Sequence, residues 1–342
     1  MKLMFTRPAQ WAKQIDLDDD IELVQADVFG REPKLRGGIA MGDSVGGVVT
    51  RKALKRLINL FEHHKPDAFL FWVMYCEEDR DKHQLESVRV ALHRCKQASP
   101  RTVFFYGNGN QASTIKENKP DFNVDAFSKS IDVVLDNTRD PRIHAIYKAR
   151  GFRTDTLYTF GFDPDEIVGH QGVVAEHDVF FGGSYTGRSR FPNSAFRHEL
   201  VTRMATNFDV LVCGRGKWPK PIVKKGYVHA MNYPREITKC RVALGCYHAD
   251  LQRYYTKRTV YSLASGRPYV VRYIPGMEHD FANWQNLVWY KTVDEAVATV
   301  KRLLRDQDLA DEIGTHGRLT AVANHSWDAR LRDMKDVLER HL

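Results

Sequence analysis

The side chains able to do chemistry concentrate between positions 180 and 280. Phe180-Phe181-Gly182-Gly183-Ser184-Tyr185-Thr186-Gly187-Arg188 follows an apolar strand-like run and precedes a helical one. Glycines at such a junction let backbone N–H groups approach a diphosphate, and Arg188 and Arg190 offset its charge. The plain alternative is a glycine turn of the kind found in any α/β protein. No Lys-Ser/Thr pair closes the segment, which disfavours a Walker-type nucleotide loop. Cys213-Gly214-Arg215-Gly216-Lys217-Trp218 follows the strand-like Val210–Val212 and places two cations beside a GxG turn. Thr256-Lys257-Arg258-Thr259-Val260-Tyr261-Ser262-Leu263-Ala264-Ser265-Gly266 reads as a short helix closed by Gly266. Lys257 and Arg258 in its first turn oppose the helix dipole, an arrangement that an anion bound there would explain. Two solvated basic side chains are the alternative. Pro275-Gly276-Met277-Glu278 follows the next strand, and Gly276 permits close backbone approach to a ligand.

The first half offers fewer such groups. Gly107-Asn108-Gly109-Asn110 follows the strand Thr102–Tyr106 and is either a ligand-facing loop or a plain tight turn. Asp16-Leu17-Asp18 has the spacing of a metal–diphosphate chelator, yet it precedes a strand where a chelating pair should follow one. It therefore reads as a solvated acidic turn. His63 and His64 point to different faces of a helix and make a poor chelating pair. Glu77-Glu78-Asp79 follows a strand and contains either a general base or solvated loop carboxylates. GxSxG and HExxH motifs are absent, as is a zinc-deaminase signature. The five cysteines are odd in number and form no CxxC pair, which argues against a disulfide framework or structural zinc.

These groups need a scaffold, and its pattern is alternation. Met1–Thr6 and Ile21–Val28 read as strands, Thr50–His64 as a helix and Ala68–Tyr75 as a strand covered on both faces. Helix Gln84–Gln97 and strands Thr102–Tyr106 and Ile131–Leu135 follow. The pattern restarts with Val179–Phe181, a helix over Ser194–Thr206, and strands Val210–Val212, Val242–Gly245, Tyr269–Arg272 and Leu287–Trp289. An amphipathic helix, Val293–Leu304, comes after them. Alternation of this kind predicts an α/β protein with two Rossmann-like domains, 1–160 and 161–342, the last helix crossing back. The boundary falls in the turn-rich Tyr158–Gly172. Open parallel sheets bind ligands beyond their strands' carboxyl ends, so a cleft between the two domains is expected.

Composition agrees with a soluble protein of two domains: 342 residues, 43% hydrophobic and 27% charged. With neither a span-length apolar run nor a secretion signal, a reduced cytoplasmic protein without membrane contact is expected, in a host cytoplasm if the chain is viral. The net charge of +8 is uneven: Gly182–Arg272 holds 17 Lys+Arg against 4 Asp+Glu, a local +13, leaving −5 elsewhere. Such a segment is either a phosphate-binding surface or a solvated basic face.

The order FFGGSYTGRSR, VLVCGRGKW, YPREITKCRVALGC, RTVYSLASGRPYVVRYIPGMEHDF and a helical C-terminus resembles the GT-B glycosyltransferases. It is most similar to the group known from the spore-maturation protein CgeB, related to the glycosyl transferases group 1 family. Tyr158–Ile167 resembles that family's interdomain linker; the likeness covers roughly 130–342 well and the rest by element order. The resemblance implies a metal-independent transferase with no cofactor, using a nucleotide-sugar, expected to be a UDP-sugar, as co-substrate. Positive side chains and helix N-termini would stabilise the departing diphosphate. Carried over by position, Arg188 and Arg258 resemble its diphosphate contacts, with Lys257 and Lys217 as neighbours. Gly182 and Gly183 match its glycine turn, Ser265 and Gly266 its small-residue pair, and Gly276 and Glu278 its following loop. One departure is Tyr261, which stands where related enzymes place a ribose-holding Glu. A tyrosine cannot clamp two hydroxyls as a carboxylate does.

The resemblance leaves the acceptor open. The basic segment could guide DNA, and the related viral enzymes that glucosylate hydroxymethylated bases set a precedent. Arg253, Tyr254 and Tyr255 would then serve phosphates or stacking, the alternative for Tyr254 and Tyr255 being ordinary packing beside the donor loop. Asn108 and Asn110 are expected on the acceptor side. Asp43, with glycines on both sides, is the first choice for the base of an inverting reaction, against the reading of an incidental loop carboxylate. The alternatives are a non-catalytic nucleic-acid-binding protein on a degenerate transferase fold, favoured by Tyr261, and a sugar-nucleotide epimerase.

Overall fold

The computed structural model describes the chain except residues 6–21, 26–50, 72–81, 108–110, 121, 159, 168, 171, 185–186, 188–190, 217, 219–221, 227 and 229–231. It divides into two units. Met1–Asn137, Pro141–Thr159 and Leu331–Leu342 form the first; Thr138–Asp140 and Phe160–Arg330 form the second.

In the first unit, strands and helices alternate as β1 (Lys2–Phe5), β2 (Glu22–Gln25), α1 (Arg51–His64), β3 (Ala68–Phe71), α2 (Lys82–Ala98) and β4 (Val103–Gly107). They continue as α3 (Gln111–Glu117), α4 (Phe122–Ala126), β5 (Val133–Asp136), α5 (Pro141–Lys148) and β6 (Arg153–Thr156). The strands form one parallel sheet in the order β2-β1-β3-β4-β5-β6. Every residue of β3 and β5 is buried, as a sheet covered on both faces requires. Leu54, Leu57 and Phe61 lie on the buried face of α1, and the Phe61 ring meets Phe69 edge-on at 4.9 Å and Phe104 at 5.4 Å. The C-terminal residues are tied to the β6 edge, where Asp155 accepts from Arg340 (3.0 Å) and His341 (3.1 Å).

The second unit begins with β7 (His177–Gly182), α6 (Ser194–Asn207), β8 (Val210–Cys213), β9 (Val223–Gly226), α7 (Tyr233–Thr238) and β10 (Cys240–Gly245). Then come α8 (Lys257–Ala264), β11 (Tyr269–Arg272), β12 (Val288–Tyr290), α9 (Val293–Arg305), α10 (Gln307–His325) and α11 (Trp327–Glu339), whose residues from Leu331 on belong to the first unit. The sheet order is β12-β11-β10-β7-β8-β9, all parallel. Its core joins Val179, Phe181, Val212, Val242, Leu244 and Val270 of the strands to Leu200, Val201 and Met204 of α6 and Ala296, Val300 and Leu303 of α9.

The helices α9 and α10 of this unit start with ordinary caps. Thr292 accepts from Glu295 N (3.2 Å) while the Glu295 carboxylate reaches back to Thr292 N, a reciprocal capping box on α9. Asp306 caps α10 through Leu309 N at 3.1 Å. Helix α10 lies tightly on the end of α8: a Cβ on Gly314 would overlap the Gly266 carbonyl oxygen. Arg318 of α10 donates to the Ala264 carbonyl and so satisfies an orphan acceptor at the α8 C-terminus.

Near the end of the unit, His325 is buried and its Nδ1 accepts from Arg330. Burial, followed by the Arg330 charge, pushes the imidazole down to about 3. The folded protein therefore refuses a proton that the unfolded chain accepts near pH 6.5. The neutral ring's contribution is complete above that value and is lost progressively as pH falls toward 3. In urea titrations from neutral pH to about pH 5, the wild type should lose more stability than His325→Asn, which has no titrating ring. Equal losses would contradict the assignment.

Candidate functional site

Strand order locates the site in the second unit. From β7 the chain continues to β8 on one side, whereas β10, on the other side of β7, continues to β11. The connections leaving the carboxyl ends of β7 and β10 thus diverge and leave a crevice between them, the usual ligand position in an open α/β sheet. Two glycines end these strands, Gly182 on β7 and Gly245 on β10. Around them a small pocket is lined by Tyr233, Tyr247, Thr256, Arg258, Ser262 and Tyr269.

Both strand ends are narrow because side chains fill the space a Cβ would take. Tyr233 Oη lies against Gly182, Tyr269 Oη against Gly245, and Arg197 Nη2 against Gly183. Tyr247 Oη pairs with Thr259 Oγ1 at 3.0 Å, and Tyr290 Oη donates to the Gly245 carbonyl at 2.7 Å. Burial raises the Tyr233, Tyr247 and Tyr269 phenols, the last to about 12, so all three stay neutral donors at physiological pH.

Two helices point their N-termini toward this crevice, and both depart from normal capping. The α8 N-cap, Thr256, makes no side-chain cap hydrogen bond; Lys257 and Arg258 occupy the first turn and no acid does. The α6 N-cap, Asn193, also leaves its helix uncapped and donates instead to Asp250 Oδ1 at 2.7 Å. Arg197 sits in the first turn of α6. Arg258 Nη1 donates to the Gly182 carbonyl at 3.3 Å. Among the described residues, no carboxylate lies within ion-pair distance of Arg197 or Arg258. The undescribed residues of this unit include no Asp or Glu. A surplus of positive charge therefore remains at the strand ends, the environment an anionic ligand requires.

Of the residues singled out from sequence, Gly182, Gly183, Lys257 and Arg258 come together here. Tyr261 is buried one turn into α8 with Lys257 Nζ 5.4 Å from its ring centroid, a cation–π pair. Ser265 is fully buried; it donates to Ser262 O (2.6 Å) and accepts from Arg267 N (3.2 Å), closing the C-terminal turn of α8. Gly276 has φ +79° and starts the turn in which exposed Glu278 accepts from Tyr273 Oη at 3.1 Å. Asp43, Asn108, Asn110, Arg188 and Lys217 lie outside the described residues, as do Asp16–Asp18 and Glu77–Asp79. Arg197, His248, Tyr233 and Tyr269 were not anticipated.

Much of the basic segment is engaged internally. Arg253 and Tyr255 both hold Asp280, Arg267 donates to Thr238 O at 2.8 Å, and Arg272 pairs with Asp250 at 2.7 Å. Lys225 and Lys239 share the buried Glu236, Arg241 donates to Leu304 O, and Arg203 pairs with Asp294. The sequence surplus of +13 is thus not a free basic face. Arg253, a residue expected to serve phosphates or stacking, is spent on a loop clamp. Among the described residues no three His, Cys, Asp or Glu side chains converge as a metal site, and no helix is long and apolar enough to cross a membrane.

Comparison with known proteins agrees with this architecture. Residues 190–336 match the family described as glycosyl transferase-like. No curated protein matches the chain by sequence. Among solved structures, HepE of Anabaena, in complex with UDP and glucose, superposes with a TM-score of 0.59 at 13% identity, over 99% of this chain and 100% of its own. An alpha-glucosyltransferase in complex with UDP and a 13-mer DNA gives 0.61 at 10% identity, over 99% and 98%. Sucrose-phosphate synthase from Thermosynechococcus elongatus gives 0.57 at 8% identity, over 99% and 98%. The two six-stranded parallel sheets are the arrangement these structures share, so the chain has the GT-B fold, and its residues 190–336 match a glycosyl transferase-like family.

Proposed function

We propose that the protein is a glycosyltransferase that takes its sugar from a UDP-sugar, without a metal ion, and holds the donor diphosphate at the β7–β10 crevice. The observation that carries the reading is Arg258, seated on the Gly182 carbonyl at the uncapped N-terminus of α8 with no carboxylate to balance it. HepE was solved with UDP-glucose, which supports the choice of donor. In the reaction the bond from the anomeric carbon to the diphosphate oxygen breaks and a bond to the acceptor oxygen forms. UDP leaves with an added negative charge. Arg258 and Lys257, with Arg188 and Lys217, stabilise that charge where a divalent cation does so in other transferases.

In an inverting reaction Asp43 takes the acceptor proton, and Asn108 and Asn110 orient the acceptor. The Tyr261 ring supports Lys257, which leaves the ribose to Glu278 and the Gly276 turn. The acceptor we favour is a hydroxymethylated base in DNA. Its support is the fold shared with the alpha-glucosyltransferase solved with DNA, together with the sequence excess of positive charge over residues 182–272.

UDP at about a hundred times its dissociation constant, with EDTA present, should stabilise the protein by about 2.7 kcal/mol. Arg258→Ala should weaken UDP binding by about 1.5–3 kcal/mol, the range of a charge-assisted hydrogen bond. A UDP shift that appears only with added metal would contradict metal independence, and unchanged affinity in Arg258→Ala would remove it from the site. For the acceptor, label from UDP-glucose should enter DNA containing hydroxymethylated bases and not unmodified DNA. Transfer to neither, with UDP still bound, would exclude that acceptor.

A further inference from the structure

Among the described residues, Arg197 is a buried guanidinium at the crevice. The residue is 2% exposed, and among the described residues its Nε and Nη2 atoms have no hydrogen-bond partner. Among the described residues only Nη1 has a polar neighbour, the His248 ring, 3.3 Å away. The guanidinium carbon lies 5.0 Å from the Phe181 ring centroid, and Nη2 presses on Gly183, where any other residue would displace it.

This placement is unfavourable to the empty protein in three respects. A cation is withdrawn from water without a counter-ion. It sits in the first turn of α6, at the positive end of the helix dipole. Arg258 lies close enough to repel it, and burial and that repulsion lower its pKa to about 10, which still leaves it charged at neutral pH. An arginine serving only to fill space would be bettered by an apolar side chain of like volume. With Arg258 on Gly182, Arg197 on Gly183 completes a pair of guanidiniums bracketing the end of β7.

We propose that Arg197 is the buried counter-charge of the donor diphosphate, a residue that lowers the stability of the empty protein and is balanced only when a diphosphate-bearing ligand occupies the end of β7. The proposal rests on the donor-site reading above. It makes stability and ligand affinity move in opposite directions on substitution, which a packing role does not.

The test compares wild type, Arg197→Met and Arg197→Lys by thermal denaturation and by titration with UDP, inorganic pyrophosphate and uridine. Without ligand, Arg197→Met should melt at or above the wild-type temperature. Its affinity for UDP and pyrophosphate should fall at least tenfold while uridine binding stays within twofold. Arg197→Lys, which keeps the charge, should recover most of the loss. A lower melting temperature with UDP affinity retained, or equal losses for UDP and uridine, would overturn the proposal by making Arg197 a packing residue. A wild type that binds neither UDP nor pyrophosphate would overturn the donor-site reading itself and this proposal with it.

Discussion

The structure of the second unit turns on one constraint: β7 and β10 pair in parallel while the chain leaves them in opposite directions. Parallel pairing forces each strand to be followed by a crossover, so the N-termini of α6 and α8 both return to the same edge of the sheet. Their exposed N–H groups and dipoles already make that edge positive. The sequence then adds arginine or lysine where an acid would be expected, while the remote α9 and α10 of the same unit are capped with Thr, Asp and Glu in the normal way. Helices α6 and α8 thus differ from α9 and α10 in leaving their first turns uncapped and without an acid.

Packing makes the edge rigid. Three strand-end glycines, Gly182, Gly183 and Gly245, are occupied from below by Tyr233, Arg197 and Tyr269, so the backbone at the crevice has little room to relax. The Arg253–Asp280–Tyr255 clamp holds the loop before α8 against the turn that Gly276 begins, and α10 seals the other end of α8 through Gly314 and Arg318. Helix α8 is therefore fixed at both ends, and Arg258 is presented from a rigid support, as a preorganised electrostatic site requires.

Most of the scaffold was legible in the residues. Apolar runs such as AFLF and VVLD announce strands covered on both faces, and the helix over 194–207 agrees with its periodicity to within a residue. The polar edge strands β6 (RTDT) and β9 (VKKG) were not foreseen, because an edge strand with one open side has no continuous apolar run to reveal it. At the site, Lys257 and Arg258 were readable because they violate a local rule at a helix start. Arg197 was not, since in SAFRHEL it looks like an ordinary polar-face residue. Nothing in linear sequence reports that its side chain is buried or that Gly183 makes room for it. Charge counting had the opposite fault: the +13 segment looked like one surface, yet many of its cations end on carbonyls or on Glu236, Asp250, Asp280 and Asp294.

The central claim is that a nucleoside diphosphate sits between the ends of β7 and β10, against the N-terminus of α8. Hydrogen–deuterium exchange with and without saturating UDP tests that placement most directly, because it reads backbone protection segment by segment. Slowed exchange at residues 180–184 and 256–262 is the predicted result. UDP binding with those segments unchanged, and protection elsewhere, would contradict it.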